Sequence, residues 1–262
     1  MRHERRNDII NKVQKLKTVK VQDLIKEYQV SIETIREDLA FLEEKGYLKR
    51  VYGGAILHEY YSPVEMELGR REQVNHQEKQ AIGKMAASLI NDGDSVFIDY
   101  GTTTIEAVRN LGGKKNLTII TNSLLIAQEL VQFPQNVNGW KIILLGGVLR
   151  TDELSVYGDI SAANLSNFNV VKALIGVGGI DLKAGYTGYY VMETSVHRMV
   201  IKKASTVIVL ADHDKFGAIT LNHICPIEDL DIIVTDWQVP EDILREYRDL
   251  GITIYTAPRE EK

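Results

Sequence analysis

A run of small polar residues follows an apolar segment in the first half of the chain. Residues 96–98 are Val-Phe-Ile, and they are followed by Asp99, Gly101 and three consecutive threonines, Thr102, Thr103 and Thr104. The next residues have apolar side chains at helical spacing. A glycine turn between a strand and a helix start presents amides and hydroxyls that suit phosphate oxygens. The segment therefore predicts a phosphate-binding loop, either for a substrate or for a sensed ligand.

Further polar residues and glycines follow later apolar runs, and each is a candidate ligand contact. They are Thr121, Asn122, Ser123, Gly146, Gly147, Gly178, Asp181, Glu193, Asp212 and Lys215. Lys215 would balance a phosphate charge, and the carboxylates would accept hydrogen bonds from sugar hydroxyls or order the loops. Each alone has a purely structural alternative, namely a turn for the glycine pairs and a helix cap for an aspartate or threonine. Together they predict a site for a small, polar, anionic ligand.

The elements that position these residues alternate between strands and helices. Apolar runs typical of buried strands lie at 95–98, 117–121, 141–145, 172–177, 206–211, 231–235 and 252–255. Helical patterns lie at 76–91, 102–111, 123–132, 193–204 and 240–250. This alternation indicates an α/β fold with a mainly parallel sheet. Because ligands bind at the carboxyl ends of such strands, the polar residues should meet at one edge.

The first 57 residues have a different pattern. Helical spacing covers 5–16 and 21–28, and Ser31 is placed to cap a longer helix with Ile35, Leu39 and Leu42 on one face and Gly46 at its end. Gly53 and Gly54 separate two short extended pieces over 48–57 and predict a hairpin. Two helices, a turn, a longer helix and a hairpin predict a winged helix-turn-helix.

A helix-turn-helix would place the start of its longer helix in the major groove. The predicted DNA contacts are Ser31, Ile32, Glu33, Thr34, Arg36 and Glu37 on the helix, with Lys49, Arg50 and Tyr52 on the wing. Arg36 would bond a guanine edge, Thr34 a thymine methyl and Glu37 a cytosine amine, while the wing residues would contact phosphates or the minor groove. The acids Asp38, Glu43 and Glu44 must face away from the duplex. The alternative is an ordinary amphipathic unit in which Arg36 is a solvated surface residue.

Charge and composition support two domains. Residues 1–57 carry 12 Lys/Arg and 9 Asp/Glu, a balance of +3, and the remainder carries 19 and 27, a balance of −8, which together give the net charge of −5. The segment 58–75 breaks the apolar periodicity and is predicted to connect a DNA-binding domain (1–57) with a ligand-binding domain (76–262). The single cysteine, Cys225, excludes an internal disulfide. No apolar run reaches membrane-span length and the first residues do not form a secretory signal, so we expect a cytoplasmic protein.

The sequence from Val30 to Ala55 resembles the signature of the DeoR family of bacterial transcriptional regulators. The matching residues are Val30, Ser31, Thr34, Ile35, Arg36, Asp38, Leu39, Leu42, Glu43, Gly46, Arg50, Gly53, Gly54 and Ala55. The resemblance continues to about residue 237, and it implies an effector domain similar to sugar-phosphate isomerases and CoA transferases. Four features depart from the family pattern: Glu37 at a usually basic position, Tyr100 at a usually small one, the aromatic stretch 185–190, and His213-Asp214. The aromatic stretch would either stack on a sugar or form an oligomer contact.

The resemblance implies a repressor of a sugar-catabolic operon that a phosphorylated sugar relieves. Double-stranded operator DNA and the phosphorylated sugar would be its partners, with no cofactor, no metal and no membrane. Because helix-turn-helix proteins commonly pair on symmetric half-sites, we expect a homo-oligomer, either a dimer or a tetramer. Two alternatives remain open at this point. One is a sugar-phosphate isomerase-like enzyme with a partner-binding head, and the other is a DNA-binding protein that responds to no metabolite.

Overall fold

The computed structural model describes residues 5–259 apart from 7, 11, 14–17, 45–46, 52, 58–64 and 134–138. The chain divides into two units, Met1–Ser62 and Pro63–Lys262. We refer to the first as the head and to the second as the sensor unit. Gly46, Tyr52 and the first half of the predicted connector lie outside the described residues. The boundaries predicted from the sequence stay predictions.

The head contains three helical segments and a three-stranded antiparallel sheet. Residues 5–6, 8–10 and 12–13 are helical, and they are followed by helices Val21–Tyr28 and Ile32–Glu44. Strand Gly54–Leu57 lies between strands Thr18–Lys20 and Leu48–Val51. The core consists of apolar residues from all of these elements: Ile9, Val13, Val19, Leu24, Ile35, Leu39, Leu42, Leu48 and Ala55. The predicted winged helix-turn-helix is confirmed, with strand 18–20 added to the wing.

The two wing glycines have different structural roles. Gly53 has φ +84°, a left-handed conformation that side chains other than glycine rarely adopt. Gly54 lies opposite Lys20 in the antiparallel pairing, and a Cβ on Gly54 would lie 2.1 Å from the carbonyl oxygen of Val19. The first glycine therefore forms the turn, and the second allows strand 18–20 to pair with the hairpin.

Asp38 lies inside the head although it belongs to the predicted DNA-reading helix. Its side chain is fully buried, and its two carboxylate oxygens accept hydrogen bonds from Arg5 Nε at 2.6 Å and Arg6 Nε at 2.7 Å. The guanidinium of Arg6 also lies 3.8 Å from the centre of the Phe41 ring. Two charge-assisted hydrogen bonds offset the cost of burying the carboxylate. Asp38 thus fixes the first helical segment on helix Ile32–Glu44, and its side chain lies inside the head.

Replacing Asp38 by asparagine should destabilise the head strongly. The variant leaves two arginines without a buried counter-charge, and breaking a buried pair by removing one partner typically costs about 3–5 kcal/mol. Hydrogen exchange of the amides at the end of helix Ile32–Glu44 measures this loss. Asp23→Asn, an exposed change on the preceding helix, is the control and should change the opening free energy by less than about 1 kcal/mol. Equal protection in the two variants would contradict the role assigned to Asp38.

The sensor unit is built on a seven-stranded sheet in which every pairing is parallel. Its strands lie in the order Thr253–Thr256, Ile232–Thr235, Ala204–Leu210, Val170–Gly176, Ser95–Ile98, Thr118–Thr121 and Lys141–Leu144. Alternate residues of the central strands enter two separate cores. Phe97, Ile175 and Val209 lie in one core, whereas Val96, Ile98, Leu174, Ile208 and Leu210 lie in the other. The strands are continuously apolar because both faces of the sheet are covered.

The five helices predicted for the sensor unit are present with shorter bounds. They are His76–Ser88, Thr104–Arg109, Leu124–Leu130, Thr194–Lys203 and Glu241–Asp249. The sequence did not predict helix Asp159–Ser166 or the hairpin formed by Val148–Arg150 and Ser155–Tyr157. It also did not predict a small antiparallel sheet of Gly179–Asp181, Gly185–Gly188 and Asn222–Cys225. The second half of the predicted connector contains a helix, Leu68–Gln73, which differs from the irregular segment we expected.

Cys225 is a buried free cysteine, and burial raises the pKa of its thiol to about 12, so it is an apolar core residue as its type suggests. Among the described residues, no helix combines the length and the apolar character that crossing a membrane requires.

Candidate functional site

The strand order of the sheet reverses beside Asp99. From strand Ser95–Ile98 the chain moves outward through two strands to one edge, and then returns to strand Val170–Gly176 on the other side of the first strand. This reversal is a topological switch point, where ligands of open α/β sheets bind. The amide of Asp99 donates to the carbonyl of Leu174 at 2.9 Å, which places Asp99 across this point.

Asp99 is the centre of a buried hydrogen-bonded group. His197 Nε2 lies 2.9 Å from one of its carboxylate oxygens, and Asn122 Nδ2 donates to the other at 2.9 Å. The side-chain oxygen of Asn122 also accepts the amide of Tyr100 at 3.1 Å. The structure thus brings together Asp99 and Asn122, both predicted, with His197, which we did not predict. His197 lies four residues after Glu193, on the same face of the helix. This spacing was the signal in the sequence that could have identified His197.

The imidazole of His197 is buried beside the Asp99 carboxylate. Burial acts to lower the pKa of its imidazole, but the charge and hydrogen bond of Asp99 outweigh burial and raise the pKa above its usual value. Its Nδ1 atom is buried and has no hydrogen-bond partner in the described part of the chain. The pair therefore presents a fixed polar group with one unpartnered ring nitrogen at the switch point.

The predicted phosphate loop has open amides. Gly101 has φ +147°, and its carbonyl accepts the Thr104 hydroxyl at 3.0 Å and the Ile105 amide at 3.2 Å. Thr104 is fully buried, so its side chain orders the loop and does not face a ligand. Within the residues described, the amides and hydroxyls of Thr102 and Thr103 make no hydrogen bond. They are the groups of this loop that remain available to a ligand.

Tyr100 links this loop to Glu193. Its hydroxyl donates to Glu193, and its ring is stacked with His197 at 6.3 Å between centroids. The Glu193 carboxylate also accepts Arg150 Nη1 at 3.2 Å. Burial raises the pKa of Glu193, while His197, Tyr100 and Arg150 oppose that rise. Tyr100, at a position that is usually small in the family, thus holds Glu193 beside the hydrogen-bonded residues Asp99 and His197.

Two arginines that we did not predict border this group. Arg150 is paired with Glu65 at 2.7 Å and with Glu193, and Arg71 is paired with Glu65 and Glu153. Burial raises the pKa of Glu153 to about 7, although Arg71 opposes the change. Glu65 and Arg71 belong to a charged segment, and Arg150 and Glu153 belong to the hairpin of strands Val148–Arg150 and Ser155–Tyr157. Neither segment has a periodic pattern, so no sequence signal pointed to these four residues.

Lys79 is a second residue that the sequence analysis missed. Its side chain is buried on helix His76–Ser88, and its Nζ donates to the carbonyl of Arg71. Burial lowers its pKa to about 8, and the neighbouring charges of Lys215 and Arg71 act in the same direction while Asp212 opposes them. A lysine on the buried face of an amphipathic helix was the signal for it. Lys79 brings a cation to the same neighbourhood as the predicted Lys215 and Asp212.

The other predicted residues hold the loops in place. The Thr121 hydroxyl accepts the Ser123 amide at 3.1 Å, and the Ser123 hydroxyl caps helix Leu124–Leu130 by accepting the Ile126 amide at 3.3 Å. Asp212 accepts the Asp214 amide at 3.1 Å, and Asp181 orders a hairpin turn by accepting the amides of residues 183 and 184 at 2.8 Å. The three glycines lie close to other atoms. A Cβ built on Gly147 would lie 2.0 Å from Ser161 Oγ, and one on Gly178 would lie 2.9 Å from the Thr187 carbonyl oxygen. A Cβ on Gly146 would lie 3.5 Å from Asn164 Nδ2. Direct ligand contact by these residues stays a prediction.

The aromatic stretch 185–190 is divided between the core and the site margin. Tyr186 is buried, and its hydroxyl donates to the carbonyl of Gly176 at 3.0 Å, so it neither stacks on a ligand nor faces another chain. Tyr190 packs edge-on against Tyr157 at 5.3 Å, and the Arg150 guanidinium lies 4.6 Å from its ring centre. Only the latter part of the stretch is therefore available for the two roles that we considered.

The predicted DNA-reading face is exposed. Ser31 caps helix Ile32–Glu44 by accepting the Thr34 amide at 3.2 Å, and Ile32, Glu33, Arg36 and Glu37 are exposed. Arg50 donates from its backbone amide and from Nε to Glu43, at 2.9 and 2.5 Å, which ties the wing to the helix. Glu43 is thus paired with a cation of the head. The side chain of Lys49 lies outside the described part.

Comparison with known proteins decides the family. The DeoR-like helix-turn-helix domain matches residues 5–60, and the DeoR C-terminal sensor domain matches residues 74–237. The chain belongs to the DeoR family. This DeoR-family chain is 33% identical over 252 residues to a putative aga operon transcriptional repressor of Escherichia coli O157:H7, with 96% of this chain and 92% of that protein covered. It is 30% identical over 251 residues to the glycerol-3-phosphate regulon repressor of Escherichia coli K12, with coverages of 96% and 97%.

A structural similarity accompanies these relatives. The chain is similar to ribose 5-phosphate isomerase A from Methanocaldococcus jannaschii, with a TM-score of 0.39, 17% identity, and 54% of this chain and 55% of that chain covered. The matched family models confirm the family membership. The strand orders of the two units confirm the predicted architecture, a winged helix-turn-helix and a larger α/β domain with a parallel sheet.

The DeoR-family sensor unit contains a second histidine–aspartate pair, which includes His213, one of the residues that depart from the family pattern. His213 Nδ1 lies 3.1 Å from Asp236 Oδ2, and its backbone amide donates to the same oxygen at 2.8 Å. The hydrogen bond to Asp236 is the main cause that raises the pKa of His213 to about 9, with burial acting against it. The pKa of Asp236 is lowered, since these hydrogen bonds outweigh its burial. The pair joins the ends of strands Ala204–Leu210 and Ile232–Thr235.

His213→Gln should reduce stability in a pH-dependent way. Because the pKa rises from 6.5 to about 9 on folding, the imidazolium pair stabilises the fold fully below pH 6.5 and loses its effect as the pH rises through 9. For this partly exposed side chain we expect about 1–2 kcal/mol at pH 6 and almost none above pH 9.5. Urea unfolding, followed by tryptophan fluorescence, measures it. His76→Gln, an exposed control, should show no such trend, and a constant difference for His213→Gln would contradict the pairing.

Proposed function

We propose that this DeoR-family regulator represses a sugar-catabolic operon and that a phosphorylated sugar relieves the repression. The observation that carries the proposal is the buried cation Lys79, on a helix that contacts helix Thr104–Arg109, which begins after the loop with open amides at the switch point of the sheet. A buried lysine that donates a hydrogen bond to a backbone carbonyl is suited to gain an anionic partner. Because the DNA-binding head belongs to the same chain, binding of the ligand changes the affinity for operator DNA.

The charge of the protein side chains decides which of them bind the phosphate and which bind the sugar hydroxyls. The phosphate binds at the amides and hydroxyls of Thr102 and Thr103, with Lys79 and Lys215 supplying positive charge. The sugar hydroxyls bind near Asp99, Asn122 and His197, where acceptor oxygens and the unpaired His197 Nδ1 atom are grouped. This division puts the charged end of the ligand on cations and its neutral end on the hydrogen-bonding pair.

The exposed side chains of the head are assigned to bases or phosphates of the DNA. Arg36 and Thr34 contact base edges in the major groove, Ser31 and Arg50 contact phosphates, and Lys49 and Tyr52 complete the wing contact. Ile32, Glu33 and Glu37 line the same exposed turn of the helix. Asp38 and Glu43 are paired with arginines of the head, which reduces their repulsion of the phosphates.

The names of relatives support a regulatory function. Two proteins that match more than nine-tenths of this chain are named as repressors, one of the glycerol-3-phosphate regulon and one of the aga operon. The regulator works in the cytoplasm, as a dimer or tetramer on symmetric half-sites, and it turns over no substrate. The Asp99–His197 pair and Glu193 bind and orient the ligand.

A ligand panel tests this function. The purified full chain is mixed with hexose 6-phosphates, pentose 5-phosphates, glycerol 3-phosphate and the matching unphosphorylated compounds, and thermal stabilisation is measured. We expect one phosphorylated compound to stabilise the chain while its unphosphorylated counterpart does not. Phosphorus NMR of the bound compound over hours should show no product. Stabilisation by no phosphorylated compound would refute the assigned ligand class, and formation of a product would establish an enzyme.

A further inference from the structure

The Glu65 carboxylate bridges two guanidinium groups at the margin of the candidate site. One of its oxygens accepts from Arg71 Nη1, and the other lies 2.7 Å from Arg150 Nη2. The side chains of Glu65 and Arg150 are each only 10% exposed. Two guanidiniums converging on one pair of oxygens form an arrangement that binds carboxylate and phosphate equally well. Glu65 therefore fills a position that an external oxyanion could take.

The arginines would keep their positions if Glu65 left. Arg71 is also paired with Glu153, and Arg150 is also paired with Glu193 at 3.2 Å and with Asp152 at 3.0 Å. Glu153 and Glu193 have side chains that are 3% exposed, and Glu193 begins a helix of the sensor core. Glu65, in contrast, precedes helix Leu68–Gln73 in a segment with no regular structure. Of these buried carboxylates, Glu65 is the one whose backbone is least constrained.

The electrostatic balance also requires an anion to leave when another arrives. The two arginines already face Glu65, Glu153 and Glu193, so their positive charge is balanced even when Glu153, whose pKa is about 7, is partly protonated. An added phosphate would meet like charge at short range unless one carboxylate departed. The arginines adjoin the ligand groups on both sides, because Arg150 reaches Tyr100 through Glu193 and the Arg71 carbonyl accepts Lys79.

We propose that Glu65 is an internal occupant of the ligand site: it holds the Arg71–Arg150 pair in the ligand-free chain, and an anionic ligand displaces it. Glu65 lies eight residues after Leu57, the last residue of the wing hairpin. Its displacement releases the start of the sensor unit nearest in sequence to the head. The Glu65-bound state is the operator-binding state, so ligand and operator favour opposite states and weaken each other's binding. The anion is the phosphate of the bound sugar phosphate, so the vacated arginine pair joins Lys79 and Lys215 in binding it. Its identity as a sugar phosphate rests on the proposed function.

Glu65→Gln in the full chain tests the proposal, with Glu72→Gln as the matched control. Glu72 is exposed on helix Leu68–Gln73, and its change removes the same charge. Without any ligand, we expect Glu65→Gln to weaken operator binding about tenfold and to speed amide exchange in helix Leu68–Gln73, whereas Glu72→Gln should neither weaken operator binding nor speed that exchange. The direction is diagnostic, because removing a negative charge by itself strengthens binding to DNA. Glu65→Asp should give intermediate values.

A second measurement separates displacement from simple destabilisation. Inorganic phosphate is titrated into both variants and into the unmodified chain, and thermal stabilisation is recorded. A vacated arginine pair should make Glu65→Gln bind phosphate at least about tenfold more tightly than Glu72→Gln, whereas a damaged site would bind it more weakly. Unchanged operator affinity, or phosphate affinity no higher than in the control, would overturn the proposal. If no sugar phosphate bound the unmodified chain, the proposed function would fail while these ligand-free comparisons would still decide the role of Glu65.

Discussion

Arg36→Ala is expected to lower the affinity for the specific operator by about 1–3 kcal/mol, which is roughly 5- to 150-fold. Arg36 is exposed on the second turn of helix Ile32–Glu44, whose start is fixed by the Ser31 cap. A bidentate contact with a guanine edge would be lost, and the variant should also discriminate less at one base position. Fluorescence anisotropy with the operator and with single-base variants measures both effects.

The control for Arg36 is Lys26→Ala. Lys26 is exposed on helix Val21–Tyr28, so its removal takes the same charge from the head without removing a base contact. It should weaken binding to all DNA sequences by a similar, small factor and reduce the salt dependence slightly. If Arg36→Ala behaved in the same way as this control, Arg36 would be a phosphate contact and not a base reader.

The second large effect is expected for Lys79→Gln, which should abolish the response to the phosphorylated sugar while leaving operator binding intact. A hydrogen bond from a charged donor contributes about 1.5–3 kcal/mol, so the sugar phosphate should bind about 10- to 150-fold more weakly. Isothermal titration calorimetry with the compound selected by the panel measures this loss. Lys84→Gln, an exposed change on the same helix, should keep full affinity, and equal affinities in both variants would remove Lys79 from the site.

The pH dependence of ligand binding gives Lys79 a separate signature. Its pKa of about 8 means that the cation is present below pH 8 and is lost above it. A dianionic phosphate prefers the charged form, so the affinity should be constant near pH 7 and should fall by up to tenfold per pH unit above pH 8. Lys79→Gln should lack this decline. Lys215→Ala should also lose the response, but its profile should keep the same shape because Lys79 is retained.

Much of the architecture could be predicted because its physical causes are local. Continuous apolar runs flanked by helical spacing defined the parallel sheet, and the carboxyl ends of its strands brought Asp99 and Asn122 together as expected. The Ser31 cap and the turn at Gly53 followed from the chemistry of single residues. In each of these cases, neighbours in the sequence determined the structure.

The remainder depends on contacts between distant segments. Glu65 and Arg71 meet Arg150 and Glu153 across about 80 positions, and none of the four lies in a periodic pattern. Asp38 was expected to avoid the duplex, but its two arginines from another segment could not be foreseen. Burial of Thr104 also went unrecognised, because a threonine that orders its own loop has the same sequence as one that binds a ligand.

The most direct test of the account is release of the operator by the phosphorylated sugar. The full chain is bound to labelled DNA from upstream of its own gene and the neighbouring genes, and the complex is titrated with the compound that stabilised it and with the unphosphorylated counterpart. The account predicts that the phosphorylated compound lowers operator affinity at least about tenfold and that its counterpart has no effect. Specific DNA binding that is unchanged at saturating concentrations of the phosphorylated compound would contradict it.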